Sequence, residues 1–201
     1  VRLEAEDGLF RVLKINDTHL FNGVCEEDQA TLSDLKIILD QTPCDLIVMG
    51  GDLVEGLSLR AGYDKYQAAS LFAELIEQHA TPWTFAPGNH DGERRGSNRD
   101  LIAFLMQYEH FLCGNAAGID GDMQFFIDIT EDGAPVHSIA ILDSHARRFG
   151  AIGSYDAIRE NQIQWLLDGM EERKVKIEDP LQLLGQEVAV TPGCNQGFSR
   201  I

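Results

Sequence analysis

Hydrophobic and polar positions change their period along this chain, and the changes divide it into elements. Phe10-Arg11-Val12-Leu13-Lys14-Ile15 alternates and then gains apolar weight, which predicts a strand, and it runs into Asn16-Asp17-Thr18-His19. Residues 26–40 set Leu32, Leu35, Ile38 and Leu39 at helical spacing. They follow Glu26, Glu27 and Asp28, whose charge suits the amino end of a helix. Asp45-Leu46-Ile47-Val48-Met49 is a short continuous apolar run, as in a strand covered on both faces, and it stops at Gly50-Gly51-Asp52. A second helix follows, with Ala68, Phe72, Leu75 and Ile76 on one side. Pro82-Trp83-Thr84-Phe85-Ala86 predicts the next strand and ends in Pro87-Gly88-Asn89-His90-Asp91.

Strand, helix, strand, helix, strand is the order of consecutive right-handed crossovers that build a parallel sheet. Ligands of such sheets gather beyond the carboxyl ends of the strands, where all three polar stretches fall. Farther on the period shortens. Met123 to Ile129 and His137 to Leu142 flank Glu131-Asp132-Gly133-Ala134-Pro135, whose Asp-Gly step signals a hairpin and the opening of a second, antiparallel sheet. Residues 156–172 predict an amphipathic helix with Ile158, Trp165, Leu166 and Met170 inward, and residues 175–201 read as loop. The architecture expected is α/β: a two-sheet sandwich with helices outside, in a single domain over residues 1–201.

Composition narrows the function. The chain has 33 acidic residues against 16 lysines and arginines, a formal net charge of -17. That balance disfavours nucleic acid as a partner, because phosphate-backbone binding draws on clustered cations. A small anionic substrate would need a local cation, which a cluster of acidic ligands could hold. Cys25, Cys44, Cys113 and Cys194 are widely spaced and form no Cys-x-x-Cys pair, so reduced, partly buried thiols are expected. No apolar run reaches the roughly 20 residues that span a bilayer, and no basic-then-apolar leader is visible at Val1. The expectation is a soluble, cytoplasmic protein with no membrane segment.

The chemistry resides in the three strand ends. Asp17 and His19 lie two apart on extended chain, so both can face one side, and a carboxylate with an imidazole suits zinc, iron or manganese. Gly51 lets the backbone turn sharply and bring Asp52 to an ion. Asn89 offers a neutral amide oxygen, and His90 a proton or a hydrogen bond. Each signal alone is weak, but the three in this order, each closing a strand, point to a metal site.

Asp17-Thr18-His19, Gly51-Asp52 and Gly88-Asn89-His90-Asp91 resemble the pattern of the calcineurin-like metallophosphoesterases. The likeness spans roughly residues 10–170. Ile141-Leu142-Asp143-Ser144-His145 and Gln162-Ile163-Gln164-Trp165-Leu166 look most like the branch related to purple acid phosphatases. Leu53-Val54-Glu55 follows the Gly-Asp where strict purple acid phosphatases carry a tyrosine, so no iron-tyrosinate colour is expected.

The resemblance implies a four-layer αββα sandwich and a phosphoesterase acting on small phosphorylated substrates. It also implies two metal ions (Mn, Fe or Zn), about 3.5–4 Å apart, that clamp the phosphoryl oxygens and activate water. Asp17 and His19 would hold one ion, Asp52 would bridge, and Asn89 would hold the second. His90 would act at the leaving oxygen, with Asp91 orienting it from behind. Arg95 and Arg99 would approach the phosphate or stay solvated; on its strand-end position alone, His145 either lines the pocket or is an ordinary loop residue.

The family's later ligands, a lone His and a Gly-His-x-His element, have no counterpart, since no histidine follows His145. The strand that should carry the lone His is missing between about Lys174 and Glu178, so the fold reads as incomplete on its C-terminal side. Either an internal deletion has removed that strand or the sequence leaves residues out. Two functions follow: a metal-dependent phosphoesterase, or a binding scaffold of the same fold with an impaired site.

Overall fold

The structure, a computed structural model, describes residues 1–56, 61–93, 97–146, 156–173 and 188–189. Its strands are β1 (Arg2–Glu4), β2 (Val12–Ile15), β3 (Leu46–Met49), β4 (Trp83–Phe85), β5 (Phe111–Leu112), β6 (Gln124–Glu131), β7 (Ala134–Leu142) and β8 (Val188–Ala189). Its helices are α1 (Glu26–Gln41), α2 (Lys65–Glu77), α3 (Asn98–Leu105) and α4 (Glu160–Glu172).

Two four-stranded sheets result. The first, ordered β2-β3-β4-β5, is parallel throughout, with Ile15 level with Met49 and Met49 level with Phe85. The second, ordered β1-β6-β7-β8, is mixed: β6 and β7 form the antiparallel hairpin, and β1 and β8 pair parallel on its two sides. The hairpin turn is Asp132-Gly133, both with positive φ (52° and 76°), the two-residue geometry whose twist matches its strands.

Alternation along the hairpin shows how the layers stack. Phe125, Ile127, Ile129, Ile139 and Ile141 join the main core with β3, β4, α1, α2 and α3. Phe126, Ala140 and Leu142, on the other face, meet Ile158, Trp165 and Leu166 of the α4 segment. Period-2 geometry turns successive side chains to opposite faces, so one hairpin serves both the inter-sheet core and an outer helix. The expected αββα order is present, with α1–α3 packed with the first sheet and α4 on the second.

Several elements depart from the sequence reading. The helix predicted from residue 156 begins at Glu160, and Ile38 of α1 points into solvent, leaving Leu32, Leu35 and Leu39 to pack. The short elements β1, α3, β5 and β8 were not predicted, β8 lying in the stretch 175–201 read as loop. The break expected between Lys174 and Glu178 lies outside the described residues. Cys25, Cys44 and Cys113 are free thiols, as expected, and Cys194 is outside the described residues. Among the described residues no helix is long and apolar enough to cross a membrane.

Candidate metal centre

The parallel pairing of β2 and β3 continues past the strand ends and carries the first two motifs with it. Asp17 N donates to Gly51 O (3.1 Å), His19 N to Asp52 O (2.9 Å) and Leu20 N to Leu53 O (3.0 Å). Between these bonds Asp17, His19 and Asp52 take left-handed backbone, at φ of 56°, 46° and 52°. For residues with a Cβ that conformation costs about 1 kcal/mol or more each, and it accumulates where a site requires it. The turn after His19 is fastened from below: Asp28 Oδ2 accepts the amides of Phe21 (2.9 Å), Asn22 (2.8 Å) and Gly23 (2.6 Å). The acidic first turn of α1 thus positions the loop as well as suiting the helix dipole.

The third motif is knotted to the second. The fully buried carboxylate of Asp91 accepts from Gly88 N (2.7 Å), Asp52 N (2.9 Å) and Val54 N (3.2 Å), joining the loops after β3 and β4. In return His90 N donates to Asp52 Oδ1 at 3.0 Å. The approach is close enough that a Cβ on Gly88 would stand 2.2 Å from Asp52 Oδ1, so only glycine fits there.

These loops gather donors. Ligand atoms of His19, Asp52 and His90 all lie within 4.8 Å of one another. The two imidazoles meet edge to face with centroids 5.0 Å apart, and Asp17 Oδ1 lies 3.7 Å from His19 Nε2. His90 Nδ1 lies 2.9 Å from Glu93 Oε2, whose side chain is wholly buried. With Nδ1 so held, Nε2 is the nitrogen left for an ion or a substrate oxygen. Burial pushes the Asp52 pKa up, against the His90 amide and the nearby imidazoles. It pushes Asp91 up to about 7, against the amides of Gly88 and Val54. His19 and the partly uncompensated carboxylate of Asp52, with Asp17 beside them and the second imidazole facing them, make a donor set that fits a Zn, Fe or Mn ion.

Asn89 is buried in the same loop. Asp91 does not orient His90, as the sequence suggested. Both its oxygens lie on backbone amides, and Glu93 is the carboxylate on the imidazole. No motif spacing marks Glu93, which reaches His90 because the chain turns back at Gly92. Arg99 is tied to Asp122 at 2.8 Å and lies largely in solvent, while Arg95 is outside the described residues. His145, at φ 66°, sits at a strand end but turns Nε2 to Gln162 Oε1 at 3.0 Å. A groove of about 660 Å³ between β6 and α4, lined by Phe126 and Trp165, contains none of these side chains.

The fold and the three knotted loops agree with comparison to known proteins. The sequence pattern of the calcineurin-like phosphoesterases matches residues 10–189, and the chain belongs to that family. Two curated relatives come from Arabidopsis thaliana. "Probable inactive purple acid phosphatase 28" is 25% identical over 198 residues, covering 81% of this chain and 48% of that protein. "Probable inactive purple acid phosphatase 14" is 26% identical over 186 residues, covering 79% and 46%. The chain therefore spans about half the length of each. The crystal structure of Pseudomonas putida nuclease MPE overlaps 60% of this chain and 48% of its own, at 20% identity and a TM-score of 0.35, too slight a likeness to bear on substrate.

Proposed function

We propose that the chain is the metal-dependent phosphoesterase domain of a protein that hydrolyses small phosphate esters. The observation that carries this reading is the convergence of His19, Asp52 and His90 within 4.8 Å at the carboxyl ends of adjacent parallel strands. Asp17 and His19 would hold one ion, Asp52 would be shared, and Asn89 would face the second. When bound, the ions supply positive charge to the phosphoryl oxygens and acidify water at the site.

The chain's own residues do the rest. Glu93 fixes the His90 ring and favours a proton on Nδ1, so that Nε2 can hold a second proton and pass it to the leaving oxygen. Water oxygen bonds to phosphorus and releases a proton to solvent, the ester P–O bond breaks with its electron pair on the leaving alkoxide, and that alkoxide takes the His90 Nε2 proton, which solvent then restores. Asp91 keeps the loops bearing Asp52 and His90 in register during these events.

One observation favours a second reading, a scaffold that holds metal without turnover: both curated relatives carry "inactive" in their names. Metal analysis together with turnover of p-nitrophenyl phosphate separates the two. The phosphoesterase reading expects bound Mn, Fe or Zn and a rate abolished by chelation. Metal without turnover leaves the scaffold, and no metal at all removes both.

A further inference from the structure

The chain carries a net charge of -17, yet among the described residues it buries one cation, Lys65. This lysine opens α2, just after Asp64, whose side chain caps the helix by accepting the amides of Tyr66 and Gln67. It is 2% exposed and is among the largest fully enclosed side chains. Its Nζ donates to the main-chain carbonyl of Asp91 at 3.2 Å and lies 5.4 Å from the centre of the Tyr66 ring. The carboxylates of Asp91 and Asp100 are close enough to favour its charge, although burial is the larger effect and lowers its pKa.

As a packing device this is a poor choice. Burying an ammonium group is expensive, and an apolar side chain of similar volume commonly serves as well or better. What a methionine could not supply is a donor and a positive charge at the back of the loop that carries Asn89 and His90. Three buried acids, Asp52, Asp91 and Glu93, crowd that loop. The Asp91 carbonyl that Lys65 grips belongs to the residue whose carboxylate ties Gly88, Asp52 and Val54 together.

We infer that Lys65 is a positioning residue for the metal centre, holding the 88–93 loop from α2 so that donors on β3 and β4 converge before an ion arrives. Lys65 touches neither ion nor substrate. The inference rests on the metal-site reading above and adds α2 to a site otherwise built from the ends of β2, β3 and β4 and braced by Asp28 of α1.

Zinc and manganese titrations of the full chain, wild type and Lys65→Met, provide the test, with melting temperature read in the absence of metal. The expected result is a Kd raised about 10–100-fold, the usual effect of losing a group behind the ligands, with the metal-free melting temperature unchanged or higher. Leu39→Ala, a core truncation in α1, should do the reverse: a lower melting temperature and an unchanged Kd. Should Lys65→Met fail to fold, Lys65→Leu, likewise neutral and without a donor for the Asp91 carbonyl, takes its place. A folded neutral variant that binds both ions like wild type overturns the inference and leaves the metal site standing. A wild type that binds neither ion overturns the metal site and this inference with it.

Discussion

Strand β4 runs between two pairs that look alike. Near its amino end His110 Nδ1 meets Glu77 Oε2 at 2.9 Å, and beyond its carboxyl end His90 Nδ1 meets Glu93 Oε2 at the same 2.9 Å. The surroundings differ. Glu77 also accepts Trp83 Nε1 (2.7 Å) and His110 N (3.1 Å), closing the end of α2 onto β4 and the chain entering β5. Burial alone would raise the Glu77 pKa, but these bonds outweigh it and hold it below its ordinary value. At the other end the balance reverses, and Asp52 and Asp91 stay raised despite every amide offered to them. One pair is electrostatically satisfied by the protein; the other stands beside acids that the protein leaves under-compensated. An external cation is useful only in the second place.

Breaking the second place should have the larger effects. Asp52→Asn should lower turnover by about 10⁴-fold or more and empty the metal site, since several kcal/mol of charge stabilisation depend on ions it holds. Near-normal turnover with full metal content would refute its role. His90→Ala should depress turnover by about 10²–10⁴, the usual worth of a positioned acid, measurable with an alkyl phosphate. The loss should shrink for a substrate whose leaving group needs no proton. Glu93→Gln should cost about 10–100-fold in turnover and shift the pH profile, whereas an equal change in melting temperature alone would make Glu93 structural.

At the amino end, Glu77→Gln should leave metal and turnover untouched and cost about 1–3 kcal/mol of stability in denaturant melts near neutral pH. Its pH dependence has a fixed sign. A carboxyl whose folded pKa lies below its unfolded value stabilises the fold above the unfolded pKa, about 4.3 for glutamate, and loses that contribution as pH falls through the folded value. Wild type should therefore lose its advantage over Glu77→Gln below about pH 4. An advantage that persists through the acid range would mean that Glu77 contributes by shape, not charge.

In the first sheet β3 and β4 were legible because each is a mainly apolar run closed by glycine or proline, β2 from its alternation, and α1 and α2 from one repeating face. The hairpin was legible from Asp132-Gly133. The capping box at Ser97 and Asp100 was a local signal for α3 that the sequence reading passed over, whereas β1 left none. Three residues whose partner lies in β6 have no local pattern to betray them. In the candidate site, the convergence of His19, Asp52 and His90 was legible because each follows a strand end. Glu93, Asp28 and Lys65 were not, since each acts by reaching back across a turn or up from a helix. Arg99 and His145 stood in plausible positions, but Asp122 and Gln162 hold them.

The pairing of β1 with β6 has a consequence for synthesis. Arg2 faces Asp128, so during synthesis the Arg2–Glu4 strand waits for a partner made more than about a hundred residues later. At ~5–20 residues per second that is an interval of several seconds to tens of seconds. Meanwhile β2, α1, β3, α2 and β4 can assemble in the order they are made, each next to its predecessor. The sheet that carries the motifs can be finished while the other still lacks an edge. During that interval the Arg2–Glu4 segment is a bare strand in search of hydrogen bonds, and chaperones or a neighbouring nascent chain would meet it first.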